Sequence, residues 1–313
     1  MASAFKCIAM FPGQGSQYVG MGRVLLSEFP GLRPLFEEAE DAAKLNIRKL
    51  CLDGPDDELR LTANTQPCIL TVSVAMWRML VNETGVTPAL FAGHSLGEYS
   101  AIVAAGKIPF SRAVALVCRR GEVMQEAMPA GLGAMLAVLN TPAEALEALC
   151  KAESRKDSLV EVANYNSPQQ LVVGGHRTAI DRLCKGLDAD QIRYVMLPVS
   201  AAFHTSLMAP AREVMAPLLR DCFFAKTTTK IIPNLTGTVA WEYEAEFLIE
   251  QITSPVRWSQ TMTSANQDGC DLYLEVGPGK VLAGLARRCL SKDTKVLGTD
   301  DLKQAIKSIQ ALN

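Results

Sequence analysis

The most informative segment of this chain is Ala89-Leu90-Phe91-Ala92-Gly93-His94-Ser95-Leu96-Gly97, which a helix-like run follows as far as Ala105. It joins a short apolar stretch to a Gly-x-Ser-x-Gly pentapeptide centred on Ser95. Small glycines allow the sharp strand-to-helix turn that exposes such a serine, and the unpaired N–H groups of the helix face negative charge that develops there. The pattern indicates a serine nucleophile. A strand-turn-helix connection that merely needs glycine is the structural alternative.

The overall composition is that of an ordinary globular protein. The chain has 313 residues, of which 49% are hydrophobic and 20% charged, and its net charge is -2. Because there is no Lys/Arg cluster and no apolar run near the roughly 20 residues that cross a bilayer, we expect neither nucleic-acid nor membrane partners. Residues 1–10 lead directly into a glycine turn, so they are predicted to form a first strand and not a signal peptide.

Nine cysteines are spread along the chain without a C-x-x-C pair or a zinc-ligand spacing. They are predicted to be buried small hydrophobes in a reducing compartment. Together with the composition, this predicts a cytoplasmic protein that needs no metal.

Strand-like and helix-like segments alternate along the chain, which predicts an α/β fold with a parallel sheet. Between about residues 131 and 198 the order becomes strand-helix-strand-strand-helix-strand, which is typical of a ferredoxin-like unit. We therefore expect a large domain built from residues 1–130 and 199–313, with a small subdomain, residues 131–198, inserted in it. The predicted elements are strands at 7–11, 90–92, 134–139, 160–164, 170–174, 193–198, 230–235 and 272–276, and helices at 19–29, 31–43, 66–81 (amphipathic), 98–105, 113–128, 142–152, 178–186 and 208–220.

A serine nucleophile needs a base, and the chain has three histidines. His94 adjoins Ser95, where side chains on a tight turn diverge. His176 begins a predicted helix in the small subdomain and is interpreted as a solvated or capping residue. His204 lies where the chain re-enters the large domain, beside the expected cleft, and is the predicted base.

Two glycine loops and an arginine pair complete the set of candidates. The loop of residues 11–17 lacks the third glycine of a dinucleotide fingerprint, and the loop of residues 277–280 fails as a phosphate loop. A loop after the first strand still lies where open α/β sheets bind ligands, so Gln14 could reach the site of Ser95. Arg119 and Arg120 point about 100° apart on a helix, so one of them could face inward toward a carboxylate.

Seen together, these residues resemble the malonyl-CoA:acyl-carrier-protein transacylases of fatty-acid synthesis. The segments that match, in the order of that family, are Phe11-Pro12-Gly13-Gln14-Gly15-Ser16-Gln17, Thr65-Gln66-Pro67, Gly93-His94-Ser95-Leu96-Gly97-Glu98, Arg119-Arg120-Gly121, Asn164-Tyr165-Asn166-Ser167-Pro168, Ala202-Phe203-His204 and Glu275-Val276-Gly277-Pro278-Gly279-Lys280. The resemblance implies an α/β-hydrolase-like large domain with a ferredoxin-like small one.

The resemblance also implies a role for each matching residue. Ser95 would be the nucleophile and His204 the base, the backbone N–H groups of Gln14 and Leu96 would form the oxyanion hole, and Arg120 would bind the free carboxylate of the malonyl group. The remaining implied site residues are Gln251, whose backbone carbonyl would orient the histidine, Gln66 and Asn166, which would line the pocket, and Phe203, which with Leu96 favours malonyl over methylmalonyl groups.

The implied reaction moves malonyl from malonyl-CoA to the phosphopantetheine thiol of holo acyl carrier protein, through an acyl-serine in a ping-pong cycle. It needs no cofactor besides the coenzyme A thioester, and the protein is expected to be a monomer. Two alternatives stay open: a stand-alone acyltransferase that serves a polyketide synthase, and a serine hydrolase or thioesterase that sends the acyl group to water.

Overall fold

A computed structural model describes residues 5–129 and 131–312. Two sheets organise these residues. The strands are β1 (Cys7–Phe11), β2 (Leu90–Gly93), β3 (Gly133–Leu139), β4 (Val160–Ser167), β5 (Gln170–His176), β6 (Tyr194–Met196), β7 (Lys230–Ile232), β8 (Leu272–Glu275) and β9 (Lys295–Gly298).

The helices of the same residues lie between and after these strands. They are α1 (Arg23–Glu28), α2 (Arg33–Ala43), α3 (Ile47–Asp53), α4 (Asp56–Arg60), α5 (Thr62–Thr84), α6 (Gly97–Ala104), α7 (Phe110–Glu126), α8 (Ala143–Glu153), α9 (Arg177–Ala189), α10 (Ala209–Arg220), α11 (Ala245–Gln251), α12 (Trp258–Gln267), α13 (Val281–Cys289) and α14 (Leu302–Gln310). None of the helices in the described ranges is long and apolar enough to cross a membrane.

The larger sheet has the strand order β7-β2-β1-β8-β9, and every neighbouring pair is parallel. Its central strands β1 and β2 are wholly buried because helices cover both faces. Phe11, the last residue of β1, lies opposite Gly93, the last residue of β2. The loops that follow these two strands therefore emerge side by side at the carboxyl edge of the sheet.

The smaller sheet has the order β4-β5-β3-β6 and is antiparallel throughout. In chain order this is the second, third, first and fourth strand of the unit, which is the ferredoxin-like arrangement. The predicted fold class, a parallel α/β domain with a ferredoxin-like unit, is thereby confirmed. The boundaries at 130/131 and 198/199 stay a prediction, and position 130 and the start of the first predicted strand at residues 1–4 lie outside the described residues.

Several predicted elements differ in their bounds or burial from the structure. The helix predicted at 19–29 begins only at Arg23, because Gly20 and Gly22 adopt positive φ angles of 100° and 84° that no right-handed helix accepts. The strand predicted at 230–235 ends at Ile232. The helix predicted as amphipathic at 66–81 extends over the 23 residues of α5 and is buried on all sides from residue 65 to residue 76, because it runs through the core.

Candidate active site

Ser95 lies at the turn between β2 and α6, with a positive φ of 52°. The turn is tight enough that its two glycines have no room for a side chain. A Cβ on Gly97 would lie 1.9 Å from the carbonyl oxygen of Phe11, and a Cβ on Gly93 would lie 1.9 Å from the carbonyl carbon of Gly97. The pentapeptide is therefore required by the close approach of β1, β2 and α6, and it leaves Ser95 half-buried at the edge of the sheet.

His204 reaches Ser95 from the segment after the small sheet. Its Nε2 lies 2.6 Å from the Oγ of Ser95, and its Nδ1 lies 2.9 Å from the backbone oxygen of Gln251. Because a carbonyl oxygen only accepts hydrogen bonds, Nδ1 carries the proton and Nε2 is free to accept the serine proton. Burial, followed by the positive charge of Arg120, lowers the pKa of His204 to about 3. The imidazole is thus neutral at neutral pH, as a general base must be.

Arg120 is the second group beside the serine. It faces inward from α7 and is 1% exposed, whereas Arg119 is exposed and pairs with Glu122 at 2.9 Å. The Nη1 of Arg120 donates to the Oε1 of Gln66 at 2.8 Å, and its Nη2 donates to the Oγ of Ser95 at 3.2 Å and to the Oε1 of Gln251 at 3.0 Å.

Among the described residues, the guanidinium of Arg120 has no direct anionic partner. Its Nε has no hydrogen-bond partner, and no carboxylate in the described ranges lies within 4.0 Å of it. Burial lowers the pKa of Arg120 from its ordinary value, although the side chain stays far from deprotonation at neutral pH. A buried cation without a paired anion is costly, so the site is suited to a ligand that carries a carboxylate.

The loop after β1 lies against the serine turn. A Cβ on Gly13 would lie 2.3 Å from the carbonyl oxygen of His94 and 3.7 Å from the nitrogen of Leu96. Within the part of the chain that the structure describes, the backbone N–H groups of Gln14 and Leu96 donate no hydrogen bond. Two unpaired donors beside a nucleophile are the arrangement that stabilises an oxyanion.

These groups line a cleft between the two sheets. Its cavity volume is about 120 Å³, well below the 300–1,000 Å³ of pockets that enclose drug-sized ligands. Met135, Asn164, Leu197 and Val199 contribute from the smaller sheet and the segment after it.

The structure brings together most of the predicted site residues: Ser95, His204, Gln14, Leu96, Arg120, Gln66 and Phe203 line the cleft, and Gln251 contacts three of them from behind. Asn166 does not line the cleft, and its side-chain oxygen lies 2.8 Å from the Nε2 of His94. Asn164, two residues earlier on β4, takes the predicted position. A substrate contact of Asn166 and the roles of all these residues stay predictions.

The other two histidines are engaged elsewhere. His94 donates through Nε2 to Asn166, and the Nδ1 of His176 accepts from the backbone N–H of Leu159 at 3.0 Å. His176 is the last residue of β5 and does not line the cleft. Neither is placed to accept the proton of Ser95.

Two supporting residues were not singled out from the sequence. Asn234 accepts from the backbone N–H of Ser95 at 2.6 Å and donates to the backbone oxygen of Gly93 at 2.6 Å, so it holds both ends of the turn. Glu98 is wholly buried on α6, and burial raises its pKa to about 7. An acidic residue on an otherwise apolar helix face was the available signal for Glu98, whereas nothing in the local sequence marks Asn234.

Comparison with known proteins agrees with this geometry. A family model described as "Acyl transferase domain" matches residues 9–308. A malonyl CoA-acyl carrier protein transacylase of Bacillus subtilis (strain 168) is 39% identical over 312 residues, which cover 98% of this chain and 97% of the relative.

Solved structures also resemble this chain along nearly its whole length. A crystal structure of FabD from Acinetobacter baumannii superposes with a TM-score of 0.94 at 36% identity, covering 99% of this chain and all of that one. A second, PlMCAT:AntF (holo), is a type II PKS acyl-carrier protein in complex with its malonyl-transacylase; it has a TM-score of 0.91 at 37% identity and covers 97% of this chain and 99% of that one. This chain belongs to the acyl transferase domain family and, within it, to the malonyl CoA-acyl carrier protein transacylases.

Proposed function

We propose that this protein transfers a malonyl group from malonyl-CoA to the phosphopantetheine thiol of holo acyl carrier protein, through a malonyl ester on Ser95, and so supplies fatty-acid elongation. The observation that carries the proposal is the buried guanidinium of Arg120. It lies 3.2 Å from the Oγ of Ser95 and has no carboxylate partner among the described residues. Only an acyl group with a free carboxylate both reaches the serine and satisfies that charge.

In the first half-reaction, the Oγ of Ser95 bonds to the thioester carbon while its proton moves to the Nε2 of His204. The carbonyl oxygen takes the negative charge and accepts hydrogen bonds from the backbone N–H groups of Gln14 and Leu96. These donors are fixed before the reaction and the charge develops only near the transition state, so they lower the barrier and do not merely bind substrate. The carbon–sulfur bond then breaks, and the coenzyme A thiolate takes the proton from His204.

The second half-reaction repeats these steps with the carrier. The phosphopantetheine thiol gives its proton to His204, and its sulfur attacks the malonyl ester on Ser95. The same two N–H groups hold the oxyanion, the carbon–oxygen bond to Ser95 breaks, and the serine recovers its proton from His204. The cycle is therefore ping-pong, with one base serving both directions.

Selection of the acyl group has two sources. Arg120 offers a planar fork that forms two charge-assisted bonds with a carboxylate, which acetyl or long-chain acyl groups lack. The small cleft excludes long chains, and Phe203 beside His204 restricts a branched acyl group. Malonyl satisfies both requirements.

The proposed partners are malonyl-CoA and holo acyl carrier protein, for a monomer in the cytoplasm that uses no cofactor besides its thioester substrate. The carrier is supported by the solved complex of a related malonyl-transacylase with a type II PKS acyl-carrier protein. That relative also keeps the second candidate open, a stand-alone acyltransferase of polyketide synthesis, because the chemistry is the same and only the carrier differs.

A partition experiment tests the proposal. The protein is incubated with malonyl-CoA alone, with holo carrier protein of fatty-acid synthesis, and with holo carrier protein of a polyketide synthase. We expect slow malonate release without a carrier and rapid malonyl-carrier formation with the fatty-acid carrier. Rapid malonate release that no carrier changes contradicts the transferase, and a faster rate with the polyketide carrier favours the second candidate.

A further inference from the structure

Glu98 is a buried carboxylate that the mechanism above does not use. It is 0% exposed and lies on α6, three residues after Ser95. The hydroxyl of Tyr243 donates to its Oε1 at 2.5 Å, and the backbone N–H of Asn234 and the side-chain Nε2 of Gln251 donate to its Oε2 at 3.0 and 2.6 Å. Three donors on two oxygens satisfy a carboxylate that has left water.

The bond to Glu98 fixes the orientation of the Gln251 amide. The Nε2 of Gln251 donates to Glu98 and to the backbone oxygen of Ser95 at 3.1 Å, so both of its hydrogens are engaged. Its Oε1 must then face the other way, where it accepts from Arg120 at 3.0 Å. The reversed amide would point N–H groups at Arg120 and would place its oxygen against Glu98, which would then lose one of its three donors.

In its ionised form, Glu98 also supplies negative charge near Arg120 without occupying its fork. The carboxylate of Glu98 favours the charged form of Arg120, yet the pair makes no direct salt bridge because the Gln251 amide lies between them. A direct Arg–Glu pair would compete with the carboxylate of a substrate. Because the Gln251 amide lies between them, the carboxylate of Glu98 partly compensates the positive charge of Arg120, and the N–H groups of Arg120 stay available to the carboxylate of a substrate.

We propose that Glu98 is a positioning residue, which acts through the Gln251 amide to hold the Arg120 guanidinium in the orientation that receives the free carboxylate of the acyl group. The proposal rests on the proposed function, because it assumes an acyl thioester with a free carboxylate as the substrate. The backbone N–H of Glu98 donates to the backbone oxygen of Ser95 at 3.1 Å, but its carboxylate contacts neither the Oγ of Ser95 nor the space in the cleft. We therefore expect Glu98 to affect which acyl group is preferred, and not the reaction at the thioester carbon.

The test is Glu98→Gln, which keeps the shape and removes the charge and one acceptor. Rates of Ser95 acylation are measured with malonyl-CoA and acetyl-CoA. We expect the malonyl-to-acetyl ratio of kcat/KM to fall roughly tenfold or more, as for a misplaced charge-assisted contact, with the malonyl loss expressed mainly in KM. Acetyl transfer should change by less than about threefold, since surrounding packing is kept.

The matched control is Glu275→Gln. Glu275 is also 0% exposed, has a pKa that burial raises to about 7, and accepts backbone N–H groups of Leu282 and Ala283, outside the cleft. This variant should lose stability and keep the acyl preference. An unchanged ratio in Glu98→Gln, or an equal shift in the control, overturns the positioning role.

Two further measurements keep the outcome decisive. If Glu98→Gln does not fold, Glu98→Asp withdraws the carboxylate from the Gln251 amide while Gln251 keeps its own side chain beside Arg120 and Ser95, and it must show the same fall in the ratio. If the wild-type protein forms no malonyl ester on Ser95, the proposed function fails first. If the wild-type protein forms that ester and the ratio does not move in the variants, only the role of Glu98 fails.

Discussion

Ser95 and His204 share an uncommon backbone conformation, with φ angles of 52° and 59°. Residues other than glycine rarely occupy the left-handed region, and those that do are concentrated at functional sites where neighbouring structure holds them. At Ser95 the holding contacts are the bonds of Asn234 to the N–H of Ser95 and to the oxygen of Gly93, and at His204 they include the carbonyl of Gln251. The nucleophile and base therefore meet at 2.6 Å because contacts from outside their own segments fix both.

The first prediction concerns Arg120. Arg120→Ala removes the fork that binds the substrate carboxylate, a charge-assisted contact that contributes about 1.5–3 kcal/mol. Ser95 acylation by malonyl-CoA should therefore lose roughly 10- to 150-fold in kcat/KM. Acetyl transfer should lose much less, since acetyl does not use the contact. Steady-state kinetics with both thioesters measure the change, and circular dichroism checks that the variant folds.

Arg119→Ala is the matched control, because Arg119 is the exposed neighbour whose ion pair, among the described residues, is with Glu122. It should keep both rates within about twofold, as substitutions at exposed ion pairs do. Equal losses with malonyl-CoA and acetyl-CoA in Arg120→Ala would show that Arg120 does not recognise the carboxylate.

The second prediction concerns the protonation of His204, whose pKa burial and the charge of Arg120 lower to about 3. An ordinary imidazole takes up a proton near pH 6.5 as the pH falls. His204 should stay neutral through that range, so the base is retained in mild acid. Below pH 6.5 the unfolded chain binds a proton at His204 that the folded protein does not, so this residue lowers stability as the pH falls.

Nuclear magnetic resonance of the imidazole nitrogens tests this directly, since the chain has only three histidines. The signals of His204, assigned by their loss in His204→Gln, should not shift between pH 8 and about 5. A midpoint near pH 6.5 for these signals contradicts the neutral buried base.

At the residue scale, the sequence predicts a position well when it belongs to a local pattern. Ser95 follows from glycine spacing, and His204 follows from the small number of histidines. Glu98 and Asn234 are 136 residues apart in the chain, and their contact exists only after α6 and the segment beyond β7 have packed together. Nothing in either local sequence encodes that meeting.

At the scale of elements, the position of Arg120 depends on how closely α7 packs against α5. Gly121 is the point of contact: a Cβ there would lie 2.7 Å from the Cα of Ala63 and 2.8 Å from the oxygen of Thr62. These are backbone atoms, so they cannot move out of the way by a side-chain rotation. Glycine at 121 thus lets Arg120 on α7 reach Gln66 on α5.

The third prediction is that Gly121→Ala separates the two helices. Overpacking should lower the free energy of unfolding by about 1–3 kcal/mol. It should also slow malonyl transfer, because Arg120 moves relative to Ser95. Urea unfolding and the acylation rate are the two measurements.

Gly186→Ala in α9 is the control, because nothing lies within 4 Å of a Cβ at that position. Alanine should stabilise that helix by up to about 1 kcal/mol. If Gly121→Ala proves as stable as Gly186→Ala, the close approach of Gly121 to the backbone of Thr62 and Ala63 does not set the packing of α7 against α5.

The sequence predicted elements well where a strand or helix pattern was evident along the chain. It failed where the conformation of a glycine set the start of an element or where tertiary packing set its burial. The four strands of the small sheet are short segments rich in apolar and β-branched residues, and they were placed within a few residues. The start of α1 depends on positive φ angles at Gly20 and Gly22, which residue type alone does not specify. The burial of α5 on all sides follows from its position between other helices, so its own sequence showed an amphipathic pattern only in part.

At the scale of the whole molecule, backbone contacts join the small sheet to the large domain beside the cleft. The N–H of Tyr165 on β4 donates to the oxygen of Val256 at 2.9 Å, and the N–H of Val256 donates to the oxygen of Ala163 at 2.9 Å. This pairing ties an edge of the small sheet to a segment five residues after Gln251. The small sheet, which contributes Met135 and Asn164 to the cleft of about 120 Å³, is therefore held in place relative to the segment that carries Gln251.

The most direct test of the central claim is intact-mass analysis of the protein after brief incubation with malonyl-CoA, methylmalonyl-CoA and acetyl-CoA in parallel, with Ser95→Ala treated in the same way. We predict a mass increase of one malonyl group at high occupancy, less adduct with the other two thioesters, and none in Ser95→Ala. Absence of a malonyl adduct, or an adduct that persists in Ser95→Ala, would contradict the assignment of Ser95 as the residue that carries malonyl between two thiols.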